Sequence, residues 1–252
     1  MEIITSVSNQ YVKHTRSLKN KKARDEHREF VIEGKKLVLE ALKENVAIKY
    51  ALVDEKCADL QYFCTSQNIE YYIVASNILP TLTDTQAPQG MVCVCGQSTQ
   101  DFALPQGNSL ILDHLQDPGN LGAIIRSAAA FNFTDIYLID CVDAYSEKVV
   151  RSSMGNMFKV RLHKTDFTML SNQKKAMKST FLVADMFGKK IGDNCLPKSR
   201  FAVIIGNEGK GVSKELVSLA DDTISIPMHN GVESLNASVS ASIIMYYISQ
   251  GD

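Results

Sequence analysis

Five short runs in the second half of the chain read as strands, and several are apolar without interruption: 109–113, 135–139, 181–184, 202–205 and 223–226. A strand that is apolar on both faces must be covered on both faces, which is the habit of a parallel sheet flanked by helices. Helical patterns occupy the intervals, at 121–131, 146–156, 166–178 and 213–220, and a last helix rich in small residues spans 236–249. The expectation is an α/β fold with ligands at the carboxyl ends of its strands.

Residues 1–96 read as a smaller α/β unit. A basic helix or helical hairpin covers 8–26, a strand 29–33 and a helix 35–43. A strand follows at 48–53, a helix at 56–67, and strands at 71–74 and 90–95. The polar stretch 97–108, with Pro105 and Gly107, reads as a linker. The expected division is therefore 1–96, a linker at 97–108, and a second domain at 109–252.

The 252 residues suffice for a buried core without covalent staples. No apolar run approaches the ~20 residues that span a bilayer, and the first ten residues carry no apolar signal core. The expected compartment is the cytoplasm. There the six cysteines, Cys57, Cys64, Cys93, Cys95, Cys141 and Cys195, are reduced thiols. Cys93 and Cys95 lack metal-ligand spacing, and no metal site is expected.

The net charge of −1 conceals a local excess. Lys13, Arg16, Lys19, Lys21, Lys22 and Arg24 fall within 11–24, with no acid among them. Such a block fits an anionic partner such as RNA, or a solvated helix face. Tyr11 and His14 within it could stack on bases.

Three turns in the second domain join a strand end to a helix. In the first, Asp113-His114-Leu115-Gln116-Asp117 precedes Pro118-Gly119, and Asn120 is expected to cap a helix that carries Arg126. The second is Gly206-Asn207-Glu208-Gly209-Lys210-Gly211-Val212-Ser213. It is no Walker A loop, because Val212 follows Gly211 where such a loop needs Lys-Ser or Lys-Thr after its last Gly. It is no dinucleotide fingerprint either, because Lys214 stands where the third Gly belongs. Its carboxylate, Glu208, suits a hydroxyl or a cation better than a phosphate. In the third, a strand ends at Pro227-Met228, and Gly231-Val232-Glu233-Ser234-Leu235-Asn236 leads into the last helix, with Ser234 or Asn236 as its cap.

Taken together, Asp-Pro-x-Asn-x-Gly-x-x-x-Arg, Gly-Asn-Glu-x-x-Gly-x-Ser and Ile-Pro-Met…Ser-Leu-Asn-x-Ser-Val resemble the three ordered signature motifs of the SpoU (TrmH-like) RNA 2′-O-ribose methyltransferases. Val150-Arg151-Ser152-Ser153-Met154-Gly155 is similar to the family too. So are Phe30-Val31-Ile32-Glu33-Gly34 and Pro88-Gln89-Gly90, which resemble its substrate-binding domain, a module like certain ribosomal proteins. Ala237 and Asn156 depart from the usual residue types.

The resemblance implies a trefoil-knotted parallel-sheet domain, S-adenosylmethionine as cofactor, a homodimer built around the last helix, and ribosomal rather than transfer RNA as substrate. It implies cofactor binding by Gly206, Asn207, Ile226, Met228 and Leu235. It implies catalytic roles for Asn120, Arg126, Glu208, Ser234 and Asn236, with Asn120 and Glu208 orienting Arg126 and the cofactor-side loop. Two other readings compete: a catalytically silent RNA-binding or assembly protein, separable by cofactor titration, and a base-directed methyltransferase, separable by nucleoside analysis.

Overall fold

The structure, a computed structural model, describes residues 2–85, 87–98, 102–192, 200–232 and 234–250. Cys195, Glu233 and part of the expected linker lie outside the described residues. The chain forms two compact units, Met1–Ser98 with Tyr145–Phe158, and Thr99–Ala144 with Lys159–Asp252. Tyr145–Phe158, which the sequence reading placed with 109–252, thus belongs to the first unit. Within that unit the Tyr145 ring lies 4.8 Å from Phe30, and the Glu147 carboxylate accepts the Asp84 backbone N–H at 2.8 Å.

The first unit begins with two short helices, α1 (Gln10–Ser17) and α2 (Lys21–His27), each started by an asparagine side chain that caps its first turn. The order continues β1 (Glu29–Glu33), α3 (Lys35–Lys43), β2 (Ile48–Asp54), α4 (Ala58–Ser66), β3 (Tyr71–Val74) and β4 (Met91–Gly96). The sheet order is β1-β4-β2-β3, with β4 antiparallel to both neighbours and β2 parallel to β3. Val12 and Leu18 from α1 and its cap close over Leu52, Val92 and Val94. Cys93 and Cys95 are fully buried, and that burial drives both thiols far above their ordinary pKa, which leaves them inert packing groups.

The second unit holds β5 (Ser109–Asp113), α5 (Pro118–Ala130), β6 (Asp135–Ile139), β7 (Arg161–Lys164), α7 (Phe167–Met177), β8 (Ser179–Lys190), β9 (Arg200–Ile205), α8 (Lys214–Leu219), β10 (Asp222–Ser225) and α9 (Ala237–Ser249); α6 (Glu147–Ser152) falls in the first unit. Its sheet, β10-β8-β9-β5-β6-β7, is parallel throughout. β5 and β6 are buried at every position: their apolar stretches, 110–112 and 136–139, require it, and the polar ends Ser109, Asp113 and Asp135 are buried with them. Phe181, Tyr137, Ile111 and Ile204 form one face of the core with Leu170 and Leu216 from α7 and α8. Each such side chain contributes roughly 1.5–3 kcal/mol by leaving water.

Sequence reading missed β7. Its charged ends, Arg161 and Lys164, flank a two-residue buried centre, Leu162 and His163, in which His163 is fully buried. His163 Nε2 meets Asp135 Oδ1 at 2.9 Å, and Arg161 donates to Asp135 Oδ2 at 2.6 Å. Burial opposes charge on Asp135, but these two hydrogen bonds and one from the Gln106 backbone hold its pKa below the ordinary carboxylate value. Of the expected linker, 97–98 fall in the first unit and 102–108 in the second, where Tyr137 donates to the Ala103 carbonyl at 2.7 Å and its ring lies 5.2 Å from that of Phe102.

Candidate active site at the carboxyl ends of the strands

The first turn differs from expectation at its cap. Asp117, not Asn120, is the N-cap of α5, accepting the Asn120 N–H at 2.8 Å. Pro118 occupies the first helical position, where its fixed φ suits the helix and its missing N–H costs nothing. Asp-Pro-Gly is therefore the start of the helix rather than a turn before it. The consequence is chemical, because the Asn120 side chain is released from capping.

That side chain links all three turns. Asn120 Nδ2 donates to Glu208 Oε1 at 2.8 Å, and Asn120 Oδ1 accepts from Asn236 Nδ2 at 2.9 Å. Asn236 is the N-cap of α9, its Oδ1 accepting from the Ser238 N–H at 2.9 Å and from the Ser238 hydroxyl at 2.6 Å. Asn236 thus serves as cap and connector at once. Ser234 lies two residues before the cap and takes no part in it.

The Gly206–Gly211 loop closes on itself through paired backbone hydrogen bonds between Asn207 and Gly211, at 3.0 and 2.9 Å. A Cβ on Gly206 would fall 2.2 Å from the Gly211 backbone, so only glycine admits this approach. Asn207 pins the loop, its Oδ1 accepting from Gly209 N–H and its Nδ2 donating to the His114 carbonyl at 2.9 Å. Asp113 at the end of β5 accepts the Ser213 N–H at 2.7 Å and holds His114 Nδ1 at 2.5 Å.

Above these strand ends lies a cleft of about 340 Å³. All five residues expected to bind a cofactor line it: Gly206, Asn207, Ile226, Met228 and Leu235. Of the residues expected to be catalytic, Glu208 and Ser234 line it as well. Asn120 adjoins it through its hydrogen bond to Glu208, and Asn236 through its hydrogen bond to Asn120. Arg126 is exposed on α5, outside the cleft lining, and has no hydrogen bond or ion pair among the described residues. Neither Asn120 nor Glu208 orients it, contrary to the expectation. Sequence reading missed the wall given by β8, where Ala184, Asp185 and Met186 line the cleft. Gly188, inside an otherwise strand-like run, was the available signal of an irregularity there.

The cleft combines apolar walls, such as Ile205, Ile224 and Leu235, with backbone groups of a glycine-bearing loop and one carboxylate. That set fits a flat heterocycle between apolar walls and a hydroxyl or cationic group near Glu208, and the volume is that of a small-molecule site. Among the described residues, no group of three or more His, Cys, Asp or Glu side chains is placed to hold a metal ion.

The basic block in the first unit divides on inspection. Lys13, Arg16 and Lys22 are exposed, with no ion pair among the described residues. Lys19 bonds Asp84 at 2.9 Å and the Thr83 carbonyl at 3.0 Å, and Lys21 pairs with Asp25 at 2.5 Å. Arg24 is buried, and its guanidinium donates to the Leu18 and Lys19 carbonyls at 2.7 and 2.8 Å, closing the end of α1. It is a structural residue and not available to a phosphate. Tyr11 is stacked on Tyr72 at 3.8 Å and His14 is bound to Glu29 at 2.6 Å, so neither ring is free for a base.

A profile of the SpoU rRNA Methylase family matches residues 107–246, and a profile of an MRM3-like substrate binding domain matches residues 9–93. The 23S rRNA (guanosine(2553)-2'-O)-methyltransferase RlmP of Bacillus subtilis is 32% identical, over 98% of this chain and 99% of its own. The mitochondrial rRNA methyltransferase 3 of Xenopus tropicalis is 26% identical over 90% of this chain and 71% of its own. Among solved structures, an AdoMet-bound rRNA methyltransferase from Sinorhizobium meliloti superimposes with a TM-score of 0.88 at 27% identity, covering 99% of this chain and 98% of that one.

Proposed function

The chain belongs to the SpoU rRNA methylase family, and we propose that it transfers a methyl group from S-adenosylmethionine to a ribose 2′-hydroxyl of ribosomal RNA. The observation that carries this reading is the Asn236–Asn120–Glu208 hydrogen-bond chain, which draws the three motifs together beside a cleft of cofactor size. Large-subunit ribosomal RNA is the substrate favoured by the likeness to the Bacillus enzyme.

The cofactor, held by Gly206, Asn207, Ile226, Met228 and Leu235, supplies an electrophilic methyl group on a cationic sulfur. The chain must bring a weakly acidic hydroxyl into line and ease removal of its proton. Arg126 is the group for positioning: its guanidinium is exposed and without a partner among the described residues, and its planar fork suits a phosphate next to the target ribose. A guanidinium is a poor base, so the proton passes to a phosphate oxygen or water. Glu208, Asn120 and Asn236 hold the rim of the cleft in register, and Ser234 offers a hydroxyl at its mouth.

The reading extends to the rest of the molecule. The first unit holds RNA through Lys13, Arg16 and Lys22. The second unit is knotted, a reading supported by β9 lying between β8 and β5 in the sheet. The protein works as a homodimer through α5 and α9. These two helices are joined by the Ser127–Ser242 hydrogen bond, and α9 leaves Val239 and Tyr246 exposed. Its compartment is the cytoplasm. Incubating the protein with methyl-labelled cofactor and unmethylated 23S ribosomal RNA transcript tests the function. Label in a 2′-O-methylnucleoside is the expected result; label in a base, or none, would overturn it.

A further inference from the structure

β8 and β10 run in register until Val183 faces Thr223, and the next pair is Lys189 with Ile224. The intervening residues of β8, 184–188, pair with neither β9 nor β10. They form an arch that leaves the sheet and returns to it. The returning foot is fastened. The Ser225 hydroxyl donates to the Gly188 carbonyl at 2.8 Å, and the Ile191 N–H to the Ser225 carbonyl at 2.9 Å. A Cβ on Gly188 would lie 2.6 Å from the Ile224 backbone, so the return needs glycine. Within the arch, Asp185 Oδ1 accepts the Phe187 N–H at 2.9 Å, which fixes the backbone that carries the ring.

The inner side of the arch is a wall of the cleft, through Ala184, Asp185 and Met186. Its tip is apolar and open, with Met186 52% and Phe187 87% exposed. A phenylalanine so exposed adds nothing to the core, yet its backbone is held in place. Cations stand close in sequence and in the facing loop: Lys190 follows the arch, and Lys210 sits between two glycines that line the cleft. Both are exposed and without ion pairs among the described residues.

We propose that Phe187 is a stacking platform for a nucleobase of the substrate RNA, next to the ribose that receives the methyl group. This rests on the methyltransferase reading of the cleft. Three considerations select a nucleobase. A ribose presented to the cleft carries its base, and its neighbours' bases, to the rim where Phe187 stands. A base needs only one ring face to stack on, whereas a stable protein partner needs roughly 1,200–2,000 Å² of buried surface. Lys190 and Lys210 supply the charge that accompanies base stacking in RNA grooves. Phe187 is thus a substrate-positioning residue and takes no part in the chemistry.

The test uses the full-length protein, methyl-labelled cofactor and unmethylated 23S transcript, with steady-state kinetics and cofactor titration for Phe187→Ala, Phe187→Leu and Phe187→Tyr. Phe187→Ala should raise KM for the transcript about tenfold, given the usual size of base–aromatic stacking, with cofactor affinity unchanged. Phe187→Tyr should restore the wild-type KM, and Phe187→Leu should not. An unchanged KM in Phe187→Ala overturns the proposal. So does full rescue by Phe187→Leu, which would mean plain apolar contact. So does a change in solution mass by light scattering, which would make the ring a contact between copies of the chain. Wild-type protein that binds cofactor but labels no transcript would instead defeat the methyltransferase reading, and the platform with it.

Discussion

Asn120 and Glu208, 88 residues apart, meet through a 2.8 Å hydrogen bond from amide Nδ2 to carboxylate Oε1. The bond exists because Asp117 takes the capping duty of α5 and leaves Asn120 free to face the glycine loop. Asn236 then donates to the same amide from the far side. Each of the three turns contributes one polar side chain to the contact, and none of them could form it alone.

Asn236→Asp separates the two roles of that residue. Asp is as good a helix cap as Asn, so the melting temperature should stay within about 2 °C of wild type. The donor to Asn120 is lost, and methyl transfer should fall at least tenfold. Asn236→Ala loses both roles and should cost about 1 kcal/mol of stability in addition. Thermal denaturation paired with single-turnover kinetics checks this; wild-type activity in Asn236→Asp would reduce the role of Asn236 to capping.

Arg126→Ala should abolish turnover while cofactor affinity stays within a few fold, because Arg126 lies outside the cleft lining. Arg126→Lys should rescue little, since a point charge does not replace a planar fork. Isothermal titration and single-turnover methylation of both variants decide it. Near wild-type rates in Arg126→Ala would remove the arginine from the mechanism.

Replacing Lys13, Arg16 and Lys22 together by Ala should weaken RNA binding. The slope of log affinity against log salt should flatten by about 2, at ~0.7 for each phosphate contact on a single strand. Folding should be unaffected. Arg24→Ala should behave differently: two buried carbonyls lose their charged donor, and stability should drop by roughly 1–3 kcal/mol. A quadruple replacement including Arg24 would confuse the two effects.

Gly206→Ala should abolish cofactor binding and lower stability, because its Cβ would overlap the Gly211 backbone. Titration with S-adenosylmethionine, alongside circular dichroism, reads both; binding within a few fold of wild type would show that the loop yields.

Asp135 makes stability depend on acid. Its pKa is lower in the folded protein than in the unfolded chain, so its contribution is complete above the unfolded value of ~4. That contribution is lost as pH falls through the depressed folded value. Asp135→Ala leaves Arg161 and His163 without their carboxylate and should cost about 3–5 kcal/mol at neutral pH. The variant's acid-unfolding curve should flatten below pH ~4. If its loss of stability were the same at pH 3 as at pH 7, the linkage assigned to Asp135 would be wrong.

Much was legible in the chain alone, and for local reasons. Unbroken apolar runs placed β5 and β6 to the residue, because a strand covered on both faces has no freedom to vary its pattern. The last helix and the three strand-end turns could be placed because glycine, proline and asparagine act on the backbone near them. The resemblance added the cofactor-binding set, every member of which lines the cleft. β7 was not legible, because the polarity of His163 is cancelled by Asp135, a partner 28 residues away. Arg24 could not be told from its neighbours, since a buried guanidinium and an exposed one are written with the same letter.

What the sequence determined by itself was the period of each element and the chemistry of each turn, since both depend on residues a few positions apart. What only the tertiary structure decided was which polar groups satisfy one another. Asn120 became a connector rather than a cap, Arg24 a brace for α1 rather than a phosphate contact, and 184–188 an arch that walls the cleft. The partners of Asn120 lie 88 and 116 residues away and Ser225 holds Gly188 across 37, while Arg24 reaches back only six and five across the bend between α1 and α2; a hydrogen bond or a steric contact depends on distance in space alone.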